Sequence, residues 1–380
     1  MRPFGPSRGG VLSGWIWGAG GGRFAGWRSR RSWIVIDPYP LVRPLLLRLD
    51  PETAHEVTLR ALESGLVPAP APVSDSVLAL ELFGRRLAHP IGLAAGFDKN
   101  ARVYARMLDQ GFTFVEVGGV TPLPQSGNPR PRVFRLPADG AVINRMGFPN
   151  AGADRVEARL RAQPCPGMLG INLASNTDAA DPIADFCALV ARFARYADFL
   201  TLDISCPNTA NGQLFLEPAC LRELLAALAA LPLHVPRPPI VAKLSPDIET
   251  PVLEPLVSVL LDAHIDGIII SNTTAQRPNL RDAKGAQRGG LSGRPLFAAS
   301  TAMLATVAGL TGGKVPLIGV GGIASGADAY AKIRAGANAV QLYTALIYGG
   351  TALVGRIARD LAQLLRRDGF ASLAQAAQAA

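Results

Sequence analysis

The chain has 380 residues, 49% of them hydrophobic and 18% charged, a globular composition at a size that suits two small domains or one large one. Its net charge of +9 resembles that of a nucleic-acid binder until the charges are located: Arg2, Arg8, Arg23, Arg28, Arg30 and Arg31 all precede the first acid, Asp37, the remainder carries an excess of only three, and no basic run is interleaved with aromatics. Four cysteines, at 165, 187, 206 and 220, show no CxxC spacing and the four histidines are scattered, which excludes a disulfide framework or a zinc site, and no run of 18 apolar residues could span a bilayer.

Residues 1–36 are rich in Gly, Arg and Trp, lack acids and show no sustained period; they are expected to be disordered or a start-site extension, with an organelle presequence as the alternative. Gly18-Ala19-Gly20 follows no strand and opens no helix, so a dinucleotide site there is not expected. From residue 39 to 66 two short amphipathic helices are predicted. Leu45, Leu46 and Leu49 form one apolar face, and Ala54, Val57, Leu59, Ala61 and Leu62 form another, with Asp50-Pro51-Glu52 as break and start signal. Such a pair either docks on a larger domain or forms a platform on a membrane surface. Residues 68–72, PAPAP, read as a stiff linker that closes a segment 37–72; a domain follows over 73–370, with a tail at 371–380.

A hairpin is predicted around Gly84-Arg85. After it, apolar strands are predicted at 91–96, 112–120, 168–173, 199–205, 240–244, 267–272, 317–320 and 339–344, alternating with helical segments at 100–110, 184–196, 219–231, 251–264, 298–310 and 327–335. Eight such repeats, with glycine-rich strand ends and no dominant GxGxxG, predict an α/β fold of the (β/α)8 barrel type rather than an open doubly wound sheet. A second hairpin, turning at Asp139-Gly140, would carry Asn144, Arg145 and Met146 back over the barrel mouth.

The residues at the predicted strand ends form one set: Ala95, Gly96, Asp98 and Lys99; Gly118 and Gly119; Asn172; Asp203 and 206–209; Lys243; 271–274; 319–322; and Tyr343 with Thr344. The stretch 199–212, FLTLDISCPNTANG, is central, because an apolar strand there ends on a small reactive cluster whose Cys206 is followed by Pro207. Gly319-Val320-Gly321-Gly322 after strand seven and Tyr343-Thr344 after strand eight suit a phosphate held by bare backbone N–H groups. Lys99 and Lys243 in an apolar mouth each call for an anion; a reduced flavin and a carboxylate substrate would supply one apiece, whereas Asp98 or Asp247 would be the ordinary structural partners.

Ten ordered blocks, among them GLAAGFDKN, EVGGVTPLPQSGNPRPRVFRL, INRMGFPN, GINLASN, SCPNT, SNTT, GGLSGRPL, IGVGGI and VQLYTALIY, resemble class 2, quinone-using dihydroorotate dehydrogenases. The resemblance implies FMN at the barrel mouth and oxidation of (S)-dihydroorotate to orotate in pyrimidine synthesis, with a quinone as final acceptor. The two leading helices would be the quinone entrance and a peripheral membrane contact. That places the chain on the cytoplasmic face of a bacterial inner membrane, or alternatively at the mitochondrial inner membrane, and leaves a monomer open. Carried over by motif, Ala95, Gly96, Phe97, Asp98, Lys99, Gly119, Asn172, Asp203, Lys243, Ser271, Gly293, Gly322, Tyr343 and Thr344 would hold FMN. Lys99, Asn144, Arg145, Met146, Gly147, Phe148, Asp203, Asn208, Asn272 and Thr273 would hold substrate, with Cys206 as the base, Lys99 beside it and Thr209 relaying the proton.

The chain departs from the class 2 pattern at three positions. Cys206 stands where that class has Ser, and a thiol with a free pKa of about 8.5 ionises far more easily than a hydroxyl. Asp203 replaces an Asn, so that either it is protonated, or Lys99 neutralises it, or the substrate differs. Gly119 stands where a hydroxyl residue is common. The alternatives are an FMN-dependent paralogue acting on another cyclic amide, a non-redox phosphate-binding barrel enzyme, and a flavin-free membrane scaffold. Deleting residues 1–66 is expected to abolish quinone turnover and to spare flavin reduction.

Overall fold

A computed structural model describes residues 37–205 and 213–378; Cys206, Asn208, Thr209 and the predicted extension 1–36 lie outside the described residues. Eight strands, β1 (Ile91–Leu93), β2 (Phe114–Val120), β3 (Met168–Leu173), β4 (Phe199–Asp203), β5 (Ile240–Leu244), β6 (Gly267–Ile270), β7 (Leu317–Val320) and β8 (Ala339–Leu342), each pair in parallel with the next. β8 returns to β1, with Val340 opposite Ile91, and closes the barrel. Both faces of such a sheet are covered, which is why its strands read as continuous apolar runs and were legible as a set. Four of the eight strands, β1, β4, β6 and β8, stop short of their predicted C-terminal ends, because the chain bends into loops there; Gly96, for example, already has φ +96°.

Period-two alternation sends Phe114, Met168, Phe199, Val241, Ile269, Ile318 and Ala339 into the lower barrel interior as one apolar cluster. The first hairpin, Leu80–Leu82 with Arg85–Leu87, adds Leu82 and Leu87 to that cluster and plugs the barrel floor. Its turn is Phe83-Gly84, one residue earlier than predicted. Both take positive φ, 50° and 74°, as a two-residue I′ turn requires, and the Phe83 ring rests 5.4 Å from that of Phe199. A much larger cluster joins the outer faces of the strands to the surrounding helices.

The predicted helices form with ends shifted by a few residues, except that 100–110 shortens to Tyr104–Asp109. The buried Asp98 carboxylate accepts the backbone N–H groups of Arg102 (2.8 Å) and Val103 (2.7 Å) and holds the preceding loop off a helical path. Helices Ala153–Ala162 and Leu353–Arg367 are additional to the predicted set. In the latter, Val354, Ile357, Ala358, Leu361 and Leu365 recur at helical spacing and are buried, so the signal was present. The second hairpin, Val133–Leu136 and Ala141–Asn144, gains a third strand, Gly290–Gly293, which pairs Asn144 with Gly290.

Helix α1 (Tyr39–Arg48) and helix α2 (Pro51–Glu63) are separated by Asp50, whose carboxylate caps α2 through the N–H groups of Glu52 and Thr53. They are held differently. α2 buries Leu59 and Leu62 in the main core and is bound by acids: Glu56 and Glu63 each lie 2.7 Å from Arg102, and Glu52 lies 2.8 Å from the buried Arg132. α1 buries no residue; Tyr39 Oη donates to Ile347 O (2.7 Å), Arg135 donates to Leu46 O (2.9 Å), and Leu41 and Leu45 stay 79% and 61% exposed.

Candidate active site

Above the apolar floor, the same alternation turns polar. Glu116 follows Phe114, Asn172 follows Gly170, Thr201 and Asp203 follow Phe199, Lys243 follows Val241, and Gln341 follows Ala339. Glu116 is fully buried and accepts from Asn172 Nδ2 (3.0 Å) and Gln341 Nε2 (2.6 Å). Glu116, Thr201 and Gln341 were absent from the predicted site, although a Glu inside FVEVGGV signals an inward polar group.

Asp203 sits directly across from Lys243 in the β4–β5 register and accepts from Asn272 Nδ2 at 3.0 Å. Burial raises its carboxyl to about 6; the Lys243 ammonium pulls it down, the Glu116 carboxylate pushes it up, and the Asn172 amide favours the ionised form. Of the three readings left open for Asp203, the one in which Lys99 neutralises it finds no support: the ammonium that acts on the carboxyl is that of Lys243, across the register. Lys243 does not pair with Asp247, whose carboxylate is taken by Thr274 Oγ1 and the Ala275 N–H.

Lys99 stands on the other side of the mouth, its Nζ donating to Gly96 O at 2.6 Å. Burial lowers its pKa to about 8, with Glu52 and Asp98 opposing and Arg132 adding to the fall. Around it a column of edge-on rings links α2 to the barrel: His55 to Phe97 (5.3 Å) and Phe97 to Tyr343 (5.6 Å). Burial and the Lys99 charge drop His55 to about 3, so the ring is neutral and acts as an apolar wall. Asp98 does not face the mouth as a ligand; its oxygens are occupied by the loop amides described above.

The hairpin residues divide into two groups. Asn144 Nδ2 reaches Gly290 O (3.4 Å), and an added Cβ on Gly290 would lie 2.0 Å from Thr273 Oγ1, so Asn144, Thr273 and Asn272 converge on one side of the mouth. Arg145 is committed elsewhere: it donates to Arg288 O (3.1 Å) and Pro131 O (2.9 Å) and lies 4.7 Å over the Phe134 ring, so its guanidinium is not offered to a substrate. The backbone oxygens of Met146 and Gly147 accept from Asn128 N and Gln125 Nε2, which fixes the turn that delivers Phe148. The Phe148 ring covers Gly119, where any Cβ would lie 2.8 Å from it and 3.2 Å from Asn172 Oδ1.

Among the described residues Asn172 Oδ1 is buried with no hydrogen-bond partner. An orphan acceptor beside an amide donor and two ammonium groups suits a flat heterocycle that both donates and accepts. Behind it, Gly321 and Gly322 (φ +104° and +78°) form the turn after β7, Ser325 caps helix Gly326–Arg334, and Thr344 Oγ1 donates to Ser292 Oγ (2.9 Å) beside Gly293. Such a turn next to a helix N-terminus suits a phosphate. Ser271 Oγ donates to the Asn272 carbonyl at 3.0 Å and helps fix that loop.

Residues 77–365 match the family model described as dihydroorotate dehydrogenase. The chain is 51% identical to the dihydroorotate dehydrogenase (quinone) of Parvibaculum lavamentivorans, over 90% of this chain and 98% of that one. It is 42% identical to the mitochondrial dihydroorotate dehydrogenase (quinone) of Arabidopsis thaliana, over 93% and 82% respectively. Among solved structures it resembles the DHODH of Eimeria tenella in complex with ferulenol, with a TM-score of 0.83 and 37% identity over 88% of this chain and 97% of that one.

Proposed function

We propose, for a chain that belongs to the dihydroorotate dehydrogenase (quinone) family and oxidises dihydroorotate with a quinone as acceptor, that the chemistry takes place on FMN held at the C-terminal mouth of the barrel. FMN, when bound, supplies the hydride acceptor and hands both electrons to the quinone. The residues suited to hold it are Ala95, Gly96, Asn172, Lys243 and Ser271 around the ring and Gly293, Gly322, Tyr343 and Thr344 towards the phosphate. The observation that carries this reading is the convergence of Lys99, Lys243 and the unpartnered Asn172 Oδ1 on one polar mouth above an apolar floor.

On the substrate side, the Lys99 ammonium faces the substrate's negative charge, and Asn144, Asn208, Asn272 and Thr273 orient the ring. Cys206 Sγ takes the C5 proton as thiolate, and Thr209 Oγ1 relays it outward. Asp203, across the register from Lys243 and held by Asn272, keeps the position of an amide's acceptor without its donor. The two leading helices and the turn after α2 rest on a membrane surface: of the nine large apolar side chains exposed among the described residues, Leu41, Val42, Leu45, Leu49, Val57 and Leu66 belong to this segment. No helix of the described residues is long and apolar enough to cross a bilayer. In this reading the chain sits peripherally on the cytoplasmic face of a bacterial inner membrane. The test is direct. Purified chain is expected to be yellow and to release about one FMN per chain on denaturation, as one mouth per barrel requires; a colourless chain that takes up no added FMN overturns the assignment.

A further inference from the structure

The chain holds 33 arginines and only five lysines, and one of the five, Lys332, is completely buried. It lies outside the mouth, on helix Gly326–Arg334, beneath the turn that follows β7. Its Nζ donates to Ser300 Oγ at 2.6 Å and to Val320 O at 3.4 Å and lies 5.3 Å from the Phe297 ring. Among the described residues it forms no ion pair; Asp328, one turn earlier on the same helix, acts on it only at longer range and accepts the Ala324 N–H (2.9 Å). A buried ammonium without a carboxylate partner is costly, and the groups that face it directly, Ser300 Oγ, the Val320 carbonyl and the Phe297 ring, are all neutral.

The groups it does touch all lead to one place. Ser300 Oγ accepts from Lys332 and directs its own proton at the Gly321 and Phe297 carbonyls, both 3.1 Å away. A Cβ on Gly321 would lie 2.8 Å from Ser300 Oγ, and one on Gly322 would lie 2.5 Å from Phe297 Cβ, so the turn is pressed onto this network on one side and free on the other. With Val320 O and Gly321 O drawn inward, the carbonyls of the turn point down to the cation.

We propose that Lys332 is the positioning residue of the phosphate cradle: through Ser300 and the Val320 carbonyl it fixes the Gly321-Gly322 turn and places a positive charge behind it, so that this chain selects a phosphorylated over an unphosphorylated flavin. The inference rests on the FMN reading above and names the residue that makes the tail matter. Burial lowers the Lys332 pKa to about 7, and an anion seated on the turn favours the charged form, so the missing counter-charge comes from the ligand.

The test compares FMN with riboflavin, which lacks only the phosphate, by titrating flavin fluorescence against full-length, flavin-free chain. Parent protein is expected to prefer FMN strongly. Lys332→Met is expected to lose about tenfold or more of its FMN affinity and to keep its riboflavin affinity within about twofold, since a removed charge acts only on the charged ligand. Ser300→Ala, a milder change that leaves the ammonium in place, is expected to reduce the same preference by a smaller factor, and it decides the matter should the Met variant fail to fold. Unchanged preference in Ser300→Ala and in folded Lys332→Met overturns the inference. Equal losses for both flavins do so too, since they make Lys332 merely structural. A parent that binds both flavins alike overturns the inference as well; if the parent binds neither flavin, the FMN reading falls instead.

Discussion

Asp203 is the buried acid of the mouth whose ionisation bears most directly on a negatively charged substrate. Its carboxyl, raised to about 6, is protonated below that pH and then removes one negative charge from the mouth. Orotate affinity is therefore expected to rise as pH falls through about 6 and to weaken above about 8, where Lys99 loses its proton. Asp203→Asn should abolish the lower step and tighten orotate by about tenfold at neutral pH, measured by perturbation of the flavin spectrum. The stability sign follows from the same shift. A carboxyl whose folded pKa lies above its unfolded value contributes most at low pH and loses that contribution as pH rises through about 6. Asp203→Asn should then stabilise the protein above pH 6 by up to about 3 kcal/mol, read from chemical denaturation. At Cys206 the expectation is kinetic: Cys206→Ser should move the acid limb of flavin reduction to higher pH, and an unchanged profile removes Cys206 as the base. The mouth lysines were legible because charged types at strand ends stand out against apolar runs. The placing of Lys243 across from Asp203, and the diversion of Arg145 into Phe134 and Arg288 O, were not, since one depends on strand register and the other on which side of a loop a long side chain takes.

At the scale of elements, the two leading helices separate into different parts. The 1–66 deletion suggested by the sequence would remove Leu59 and Leu62 from the core and strand the buried Arg132 and the largely buried Arg102 without Glu52, Glu56 and Glu63, so it tests folding as much as function. A cut after Leu49 leaves α2 intact. It should spare flavin reduction by dihydroorotate and sharply reduce turnover with a membrane-embedded quinone; loss of both halves would make α1 structural. Leu41→Ser with Leu45→Ser should weaken binding to anionic lipid vesicles in a sedimentation assay without lowering Tm, because both side chains are exposed in the folded protein. The helix pair was readable from its apolar spacing and the Asp50-Pro51 signal. The acid–arginine ties of α2 were not, because Glu56 and Arg102 are distant in sequence and either could have been a solvated surface charge.

For the whole molecule, closure of the barrel turns eight separate strand ends into one site, and this explains why so much of the fold could be read in advance. Each strand is a short continuous apolar run, and the glycine-rich ends mark its exit. The third strand at Gly290–Gly293 escaped notice because GGLSG has no apolar run of its own, a single Leu291 packing against the hairpin's Leu136, Ala141 and Ile143. The polar interior around Glu116 escaped because a single acid inside a strand has no local partner; its partners Asn172 and Gln341 come from β3 and β8. The most direct measurement is an anaerobic titration of the purified full-length protein with dihydroorotate, followed by addition of a soluble quinone. The flavin band should bleach with about one equivalent of substrate per chain and return on quinone addition, as one mouth per barrel requires. A flavin band that dihydroorotate leaves unchanged, in protein that retains its FMN, would contradict the arrangement of the mouth described here.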